Sequence, residues 1–155
     1  MEPLSSQVAS QARAIPGPIA VIGAGGFVGA NLCHRLQQFR SDVVGVVRAQ
    51  SDPWRLGALG VERVECVGDL DSLIARLTDT DVRTVFNLAA YGAYSSQIDS
   101  QRILETNLGL VFALSRWAAE SGAGFIQAGS SSEYGINSAG PLEDTTVPLP
   151  NSQYA

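Results

Sequence analysis

The sequence predicts an open, parallel α/β sheet of strand order 3-2-1-4-5, with helices on both faces. Three observations carry this expectation. Short, fully apolar strands alternate with segments of helical period, the pattern of a parallel sheet covered on both sides. A glycine cluster, Gly23 to Gly29, separates the first strand from the first helix after it. The chain has 155 residues, 45% of them apolar, which is the length of one domain and too apolar for a disordered chain.

Residues 1–17 read as a flexible polar arm, with Pro16 and Pro18 around Gly17 just before structure begins, and 18–155 as the domain. Ile19-Ala20-Val21-Ile22 is the first strand. Phe27 to Phe39 is a helix, with Val28, Leu32 and Leu36 four apart. Val43 to Val47 is the second strand, Trp54 to Leu59 a short helix and Val64 to Val67 the third strand. Leu70 to Leu77 is helical behind a cap at Asp69 or Asp71. Thr84 to Leu88 forms the fourth strand. One long helix is expected from Ser100 to Glu120, carrying Ile103, Leu104, Leu108, Val111, Leu114 and Ala118 and closed by Gly122. Phe125 to Ala128 is the fifth strand, and a loop punctuated by Pro141, Pro148 and Pro150 follows Gly135. The closing PLPNSQYA reads as loop and the first turn of another helix, and five strands fall short of a full doubly wound sheet. The expectation is an incomplete domain, the N-terminal part of a larger protein.

Composition narrows the chemistry. The net charge is −5, and no basic run offers a grip on nucleic acid. All ten basic residues are arginine, so no lysine amine is present. Cys33 and Cys66 form no CxxC pair and no disulfide framework, which fits a reducing, cytoplasmic setting. One histidine and two separated cysteines give a metal little to bind. The N-terminus lacks a signal-peptide pattern. The longest apolar run, near Ile19 to Leu32, is broken by four glycines and is too short to span a membrane.

The glycine turn is Gly23-Ala24-Gly25-Gly26-Phe27-Val28-Gly29. A dinucleotide turn needs one glycine to turn, one to admit the pyrophosphate and one to let the helix pack closely. Gly23, Gly26 and Gly29, three apart, suit those roles, and the helix N-terminus at Phe27 and Val28 suits the pyrophosphate. This is the Rossmann-type arrangement. The second strand ends in Arg48, where an NAD-preferring site usually has a carboxylate. Arg48 suits a 2′-phosphate, so NADP is the expected cofactor and NAD the alternative. Asp69, beside Leu70, serves as an acceptor for an adenine amino group, as a helix cap, or as both. Leu88, Ala89 and Ala90 leave room for a cofactor against the backbone. Asn107, polar within an apolar helix, is a cofactor-side candidate that could tie the helix to the loop after the fourth strand. Ser130, Ser131 and Ser132 leave the fifth strand at the carboxyl edge of the sheet, where their hydroxyls can meet a carbonyl or alcohol; Tyr91, Ser132 and Glu133 are the substrate-side candidates. His34 lies far from this edge and reads as structural or solvated.

These motifs together resemble the extended short-chain dehydrogenase/reductases that act on nucleotide sugars, the NAD-dependent epimerase/dehydratase type. They are VIGAGGFVG at 21–29, GDL at 68–70, NLAA at 87–90, TN at 106–107, GSSSEYG at 129–135 and PNSQYA at 150–155, in family order. The resemblance implies hydride transfer at a sugar carbon, most often C4, and a nucleotide sugar as partner. It implies that Tyr154 is the proton-transferring tyrosine of a YxxxK motif whose lysine would be the third residue past Ala155. It implies that Ser130, or Ser131 with a one-residue slip, polarises the sugar oxygen. A phenol is a poor base at neutral pH unless a cation stabilises its phenolate, which is the lysine's part. The residues before Tyr134 depart from the dehydratase pattern, and Arg48 suits a reductase. A 4-keto-sugar reductase is therefore expected, with 4-epimerase or 4,6-dehydratase as alternatives. The chain by itself is expected to lack turnover, with an inactive dinucleotide-binding module as the rival reading. The family also implies a homodimer for the parent.

Overall fold

The computed structural model describes residues 6–62, 64–136 and 145–155. A five-stranded parallel sheet runs through it in the order β3-β2-β1-β4-β5, as the sequence predicts. The strands are β1 (Ile19–Ile22), β2 (Val43–Arg48), β3 (Val64–Val67), β4 (Thr84–Asn87) and β5 (Gly124–Gln127). The helices are α1 (Ser6–Ala14), α2 (Phe27–Gln37), α3 (Trp54–Ala58), α4 (Leu70–Asp79), α5 (Ser100–Leu104) and α6 (Leu110–Ser121). β1 is central, with Ile19 opposite both Val43 and Thr84.

Side chains alternate across a strand, so each central strand feeds two cores. Ile19 and Val21 of β1 join Ala30, Cys33 and Leu36 of α2 and Leu56 of α3 on one face. Ala20 and Ile22 join Leu73 and Leu77 of α4 and Leu114, Trp117 and Ala118 of α6 on the other. With both faces covered, all four residues of β1 are buried, which is why the strand reads as an unbroken apolar run. Burial pushes the Cys33 thiol up to about 12. The Pro141 part of the expected loop lies outside the described residues.

Three expectations need correction. Residues 148–155, expected to run into the first turn of another helix, contain no helical residue. The segment expected as a flexible arm contains α1, which buries Ala12 in the first core. Its C-terminal carbonyls are held from elsewhere: Arg40 Nη1 donates to Ala12 O (3.1 Å) and Ile15 O (2.6 Å). The same guanidinium grips Asp42 through Nε (2.6 Å) and Nη2 (2.8 Å), with 11% of the Arg40 side chain exposed. A nine-residue helix does not stand alone in water, so this docking stabilises it. The single long helix is also interrupted: a π turn, Glu105–Gly109, separates α5 from α6. Asn107 lies in this widened turn, and such turns are frequent at functional sites. α6 does end at Gly122 in the left-handed conformation, as expected.

His34 is structural. Its Nδ1 lies 2.7 Å from Leu59 O, an acceptor, so Nδ1 carries the proton and Nε2 accepts from Gln38 Nε2 at 3.3 Å.

Candidate dinucleotide site

The chain leaves β1 at Gly23 with φ of 78°, a conformation that costs a side-chain-bearing residue. A Cβ there would also lie 2.7 Å from the Ala89 nitrogen and 2.9 Å from the Leu88 carbonyl carbon. The N–H groups of Gly23 and Ala24 both donate to Val46 O at 3.2 Å, and Gly26 N–H closes the turn on Gly23 O at 3.0 Å. At Gly29 a Cβ would strike Gly23 O and come within 2.8 Å of Ala24 Cα. Glycine at 23 lets the chain turn against β4, and glycine at 29 lets α2 lie against the turn. The N-cap of α2 is Gly26, which has no side chain to bond the first-turn N–H groups. Phe27 and Val28 in the first turn are 74% and 61% exposed, and neither they nor Gly29 are among the residues lining the groove that opens from the turn.

A groove of about 800 Å³ opens from the turn at the carboxyl ends of β1, β2 and β4. Gly23, Gly26, Arg48, Asp69, Leu70, Leu88, Ala89, Ala90 and Tyr91, all expected from sequence, line it. Arg48 is exposed and has no ion pair among the described residues. Asp69 is the cap of α4: Oδ1 accepts from Ser72 N at 2.8 Å, and Ser72 Oγ lies 3.1 Å from Asp69 N in a reciprocal box. Those bonds hold the Asp69 carboxyl below the usual carboxylate range.

The β4 wall is braced from behind. Asn87 is fully buried; its Nδ2 donates to Gln127 Oε1 (2.8 Å) and its Oδ1 accepts from Ala89 N (3.3 Å). Asn107 reaches across from the π turn, accepting from Tyr91 N at 3.0 Å and donating to Tyr91 O at 2.8 Å. This is the tie anticipated from sequence. Asn107 is not among the groove-lining residues; its amide acts on the wall, while Glu105, Thr106 and Gly109 of the same turn line the groove.

The hydroxyl cluster lies beyond β5. Ser130 caps a short 3-10 turn, Ser131–Tyr134, its Oγ accepting from Ser132 N at 3.2 Å, and Glu133 lies within that turn. Ser130, Ser131, Ser132, Glu133 and Tyr154 do not line the groove. The C-terminal segment returns to the loop after β4. Ser100 Oγ donates to Gln153 Oε1 at 2.6 Å, and a Cβ on Gly92 would be 3.4 Å from Tyr154 Cβ and 3.0 Å from Ile103. Gly92 has φ of 103° and its N–H donates to Gln97 Oε1 at 2.9 Å. Gly92 and Gln97 are site-shaping residues that sequence reasoning missed; the short YG pair after NLAA is their only local signal. Ser51 and Glu105 were missed as groove residues with no local signal at all.

A parallel sheet in this order, with a glycine turn feeding a groove at its carboxyl edge, defines a dinucleotide-binding α/β domain. The model of the NAD dependent epimerase/dehydratase family matches residues 19–155, and the chain belongs to that family. It is 31% identical over 129 residues to an ADP-L-glycero-D-manno-heptose-6-epimerase of Alkalilimnicola ehrlichii, covering 77% of this chain and 38% of the relative. The epimerase Mth375 of Methanothermobacter thermautotrophicus superposes with a TM-score of 0.78 at 25% identity, covering 93% of this chain and 45% of that one. MoeE5, solved with UDP-glucose and NAD, gives 0.69 at 30% identity, covering 89% and 44%. The chain thus spans under half the length of these relatives. No helix among the described residues is long and apolar enough to cross a membrane.

Proposed function

We propose that the protein carrying this chain transfers hydride between NADP and a carbon of a nucleotide sugar, in the direction of a 4-keto-sugar reductase. The groove of about 800 Å³, lined by the glycine turn, Arg48, Asp69 and the Ala89–Tyr91 wall, carries this reading. The dinucleotide, when bound, supplies the hydride donor or acceptor. The glycine turn suits it: a side chain at Gly26 would stand where the pyrophosphate approaches, and the uncapped first-turn N–H groups of α2 would receive it. Arg48 pairs with a 2′-phosphate through two donors. Asp69, with Oδ1 engaged in the cap, offers its other carboxylate oxygen to an adenine amino group. Leu70 and Leu88 flank the groove, and Ala89 and Ala90 form its floor. Tyr154 moves the proton at the sugar oxygen, Ser130 or Ser131 polarises that oxygen, and Tyr91, Ser132 and Glu133 face the sugar.

An epimerase is supported by a separate observation: the relatives at 31% and 25% identity are named epimerases, the first a heptose-6-epimerase. Net oxidation of NADPH by a 4-keto sugar, against epimer formation with no net cofactor turnover, separates the two; dissociation constants of NADPH and NADH for the wild type and Arg48→Ala test the cofactor. An NADPH preference of roughly tenfold or more, lost in the variant, supports NADP as the cofactor; a charge-assisted bond of about 1.5–3 kcal/mol gives that scale. NADH binding the wild type as tightly as NADPH would sink the Arg48 argument. Leu104, Leu108 and Phe112, four apart and each over 60% exposed, form an apolar stripe along α5, the π turn and α6. We assign it to a homodimer, which light scattering of Phe112→Asp tests.

A further inference from the structure

We propose that Arg102 is a positioning residue: it holds the Tyr91 ring at the sugar end of the groove and so sets affinity for the nucleotide sugar. This rests on the reading just given. Arg102 Cζ lies 4.5 Å from the centre of the Tyr91 ring, within the range in which a ring face attracts a guanidinium. The main chain of Tyr91 is held separately, by the two bonds from Asn107. Arg102 therefore acts on the ring alone. It is itself fixed at the start of α5, where its N–H donates to Asp99 Oδ1 at 3.1 Å. No carboxylate competes for its guanidinium among the ion pairs of the described residues.

The position of Tyr91 gives the ring its task. Ala89 and Ala90 precede it in the groove wall, and a Cβ on Gly92, which follows it, would lie 3.4 Å from Tyr154 Cβ. Tyr91 thus stands between the dinucleotide floor and the tyrosine assigned to proton transfer. An aromatic wall there packs against a pyranose face and offers a hydroxyl to the sugar. A ring already held by Arg102 has less freedom to lose when the sugar binds. The dinucleotide, gripped at the glycine turn and the floor, does not depend on it.

The test uses the full-length protein that carries this chain, saturated with dinucleotide and titrated with UDP-, CDP- and ADP-sugars. Arg102→Ala should weaken the best-binding sugar about two- to fivefold, the range of an exposed cation–π contact. KM should rise by the same factor with kcat within about twofold, dinucleotide affinity should stay at the wild-type value, and Tm should fall by no more than about 4 °C. Arg102→Lys should restore sugar affinity, because the cation returns. On a Tyr91→Leu background, Arg102→Ala should have no further effect on it. If the wild type binds the sugar and Arg102→Ala binds it equally well, the inference is overturned and the proposed function stands. A weakening not rescued by lysine, or one that persists on the Tyr91→Leu background, also overturns it. If the wild type binds dinucleotide and no sugar of the panel, the proposed substrate class fails and this inference fails with it.

Discussion

Two glycines of one turn should fail in different ways when replaced. Gly23→Ala forces a Cβ into a backbone of φ 78°, which costs roughly 1–2 kcal/mol for an L-residue. The same Cβ would meet Ala89 N at 2.7 Å and Leu88 C at 2.9 Å, both backbone atoms that cannot rotate away. Overpacking of that kind adds roughly 1–3 kcal/mol, for a total of about 2–5 kcal/mol. With a urea slope of about 1.5 kcal/mol per M, the midpoint should fall by more than about 1 M. Gly26→Val differs: the backbone there (φ −74°, ψ 170°) suits any residue, and the nearest atom to an added Cβ is Gly23 O at 3.3 Å. Its stability should change by about 1 kcal/mol or less, the scale of a changed N-cap. Dinucleotide affinity should nevertheless fall at least about tenfold, because the side chain stands where the pyrophosphate approaches. Urea unfolding and a dinucleotide titration on both variants decide it. A Gly23→Ala midpoint within about 0.3 M of wild type would refute the steric argument, and unchanged affinity in Gly26→Val would refute the placement of the pyrophosphate.

Asn107→Ala should destabilise the chain by about 1–3 kcal/mol, since it strips both partners from the Tyr91 backbone, and Asn107→Asp should recover only part of this because a carboxylate cannot donate to Tyr91 O; chemical unfolding measures both. Arg40→Met should free α1, seen as faster hydrogen exchange over residues 6–14 with the β1 amides still protected, because the Ala12 and Ile15 carbonyls lose their donor. The native Cys33 thiol holds its proton more tightly than the unfolded one, about 12 against 9.0. Its stabilising effect is therefore complete below pH 9 and is lost as pH rises from 9 toward 12, at no more than about 1.4 kcal/mol per pH unit. Urea midpoints between pH 9 and 11 should fall less steeply in Cys33→Ala than in wild type, and parallel slopes would contradict the burial argument.

What was legible in the sequence follows from where each signal lies along the chain. The strands were legible because burial on both faces leaves unbroken apolar runs, and strand order followed from the glycine turn and the alternation of elements. Asp69 was legible as a cap because its partner, Ser72, is three residues away. α1 was not, because only Ala12 of its nine residues is buried and its docking donor, Arg40, lies 28 residues from Ala12. The π turn was hidden for a related reason: helical period continues through Leu104 and Leu108, and the contact that marks the turn, from Asn107, is to Tyr91, 16 residues back. The candidate site divides along this line. The glycine turn, Arg48 and the alanine floor are local to strand ends and were read directly. Gly92 owes its positive φ to a loop closed by Gln97 and crowded by Ile103 and Tyr154, a constraint that no local pattern states. On the proposed function the dinucleotide is held by short motifs at strand ends, whereas the sugar-side residues come from segments far apart in sequence, of which Tyr91 lines the groove and Ser130, Ser132, Glu133 and Tyr154 do not. On that reading, substitutions that alter cofactor preference should cluster in short motifs such as 23–29 and 46–48, while those that alter sugar preference should scatter across 91–107, 130–136 and 145–154.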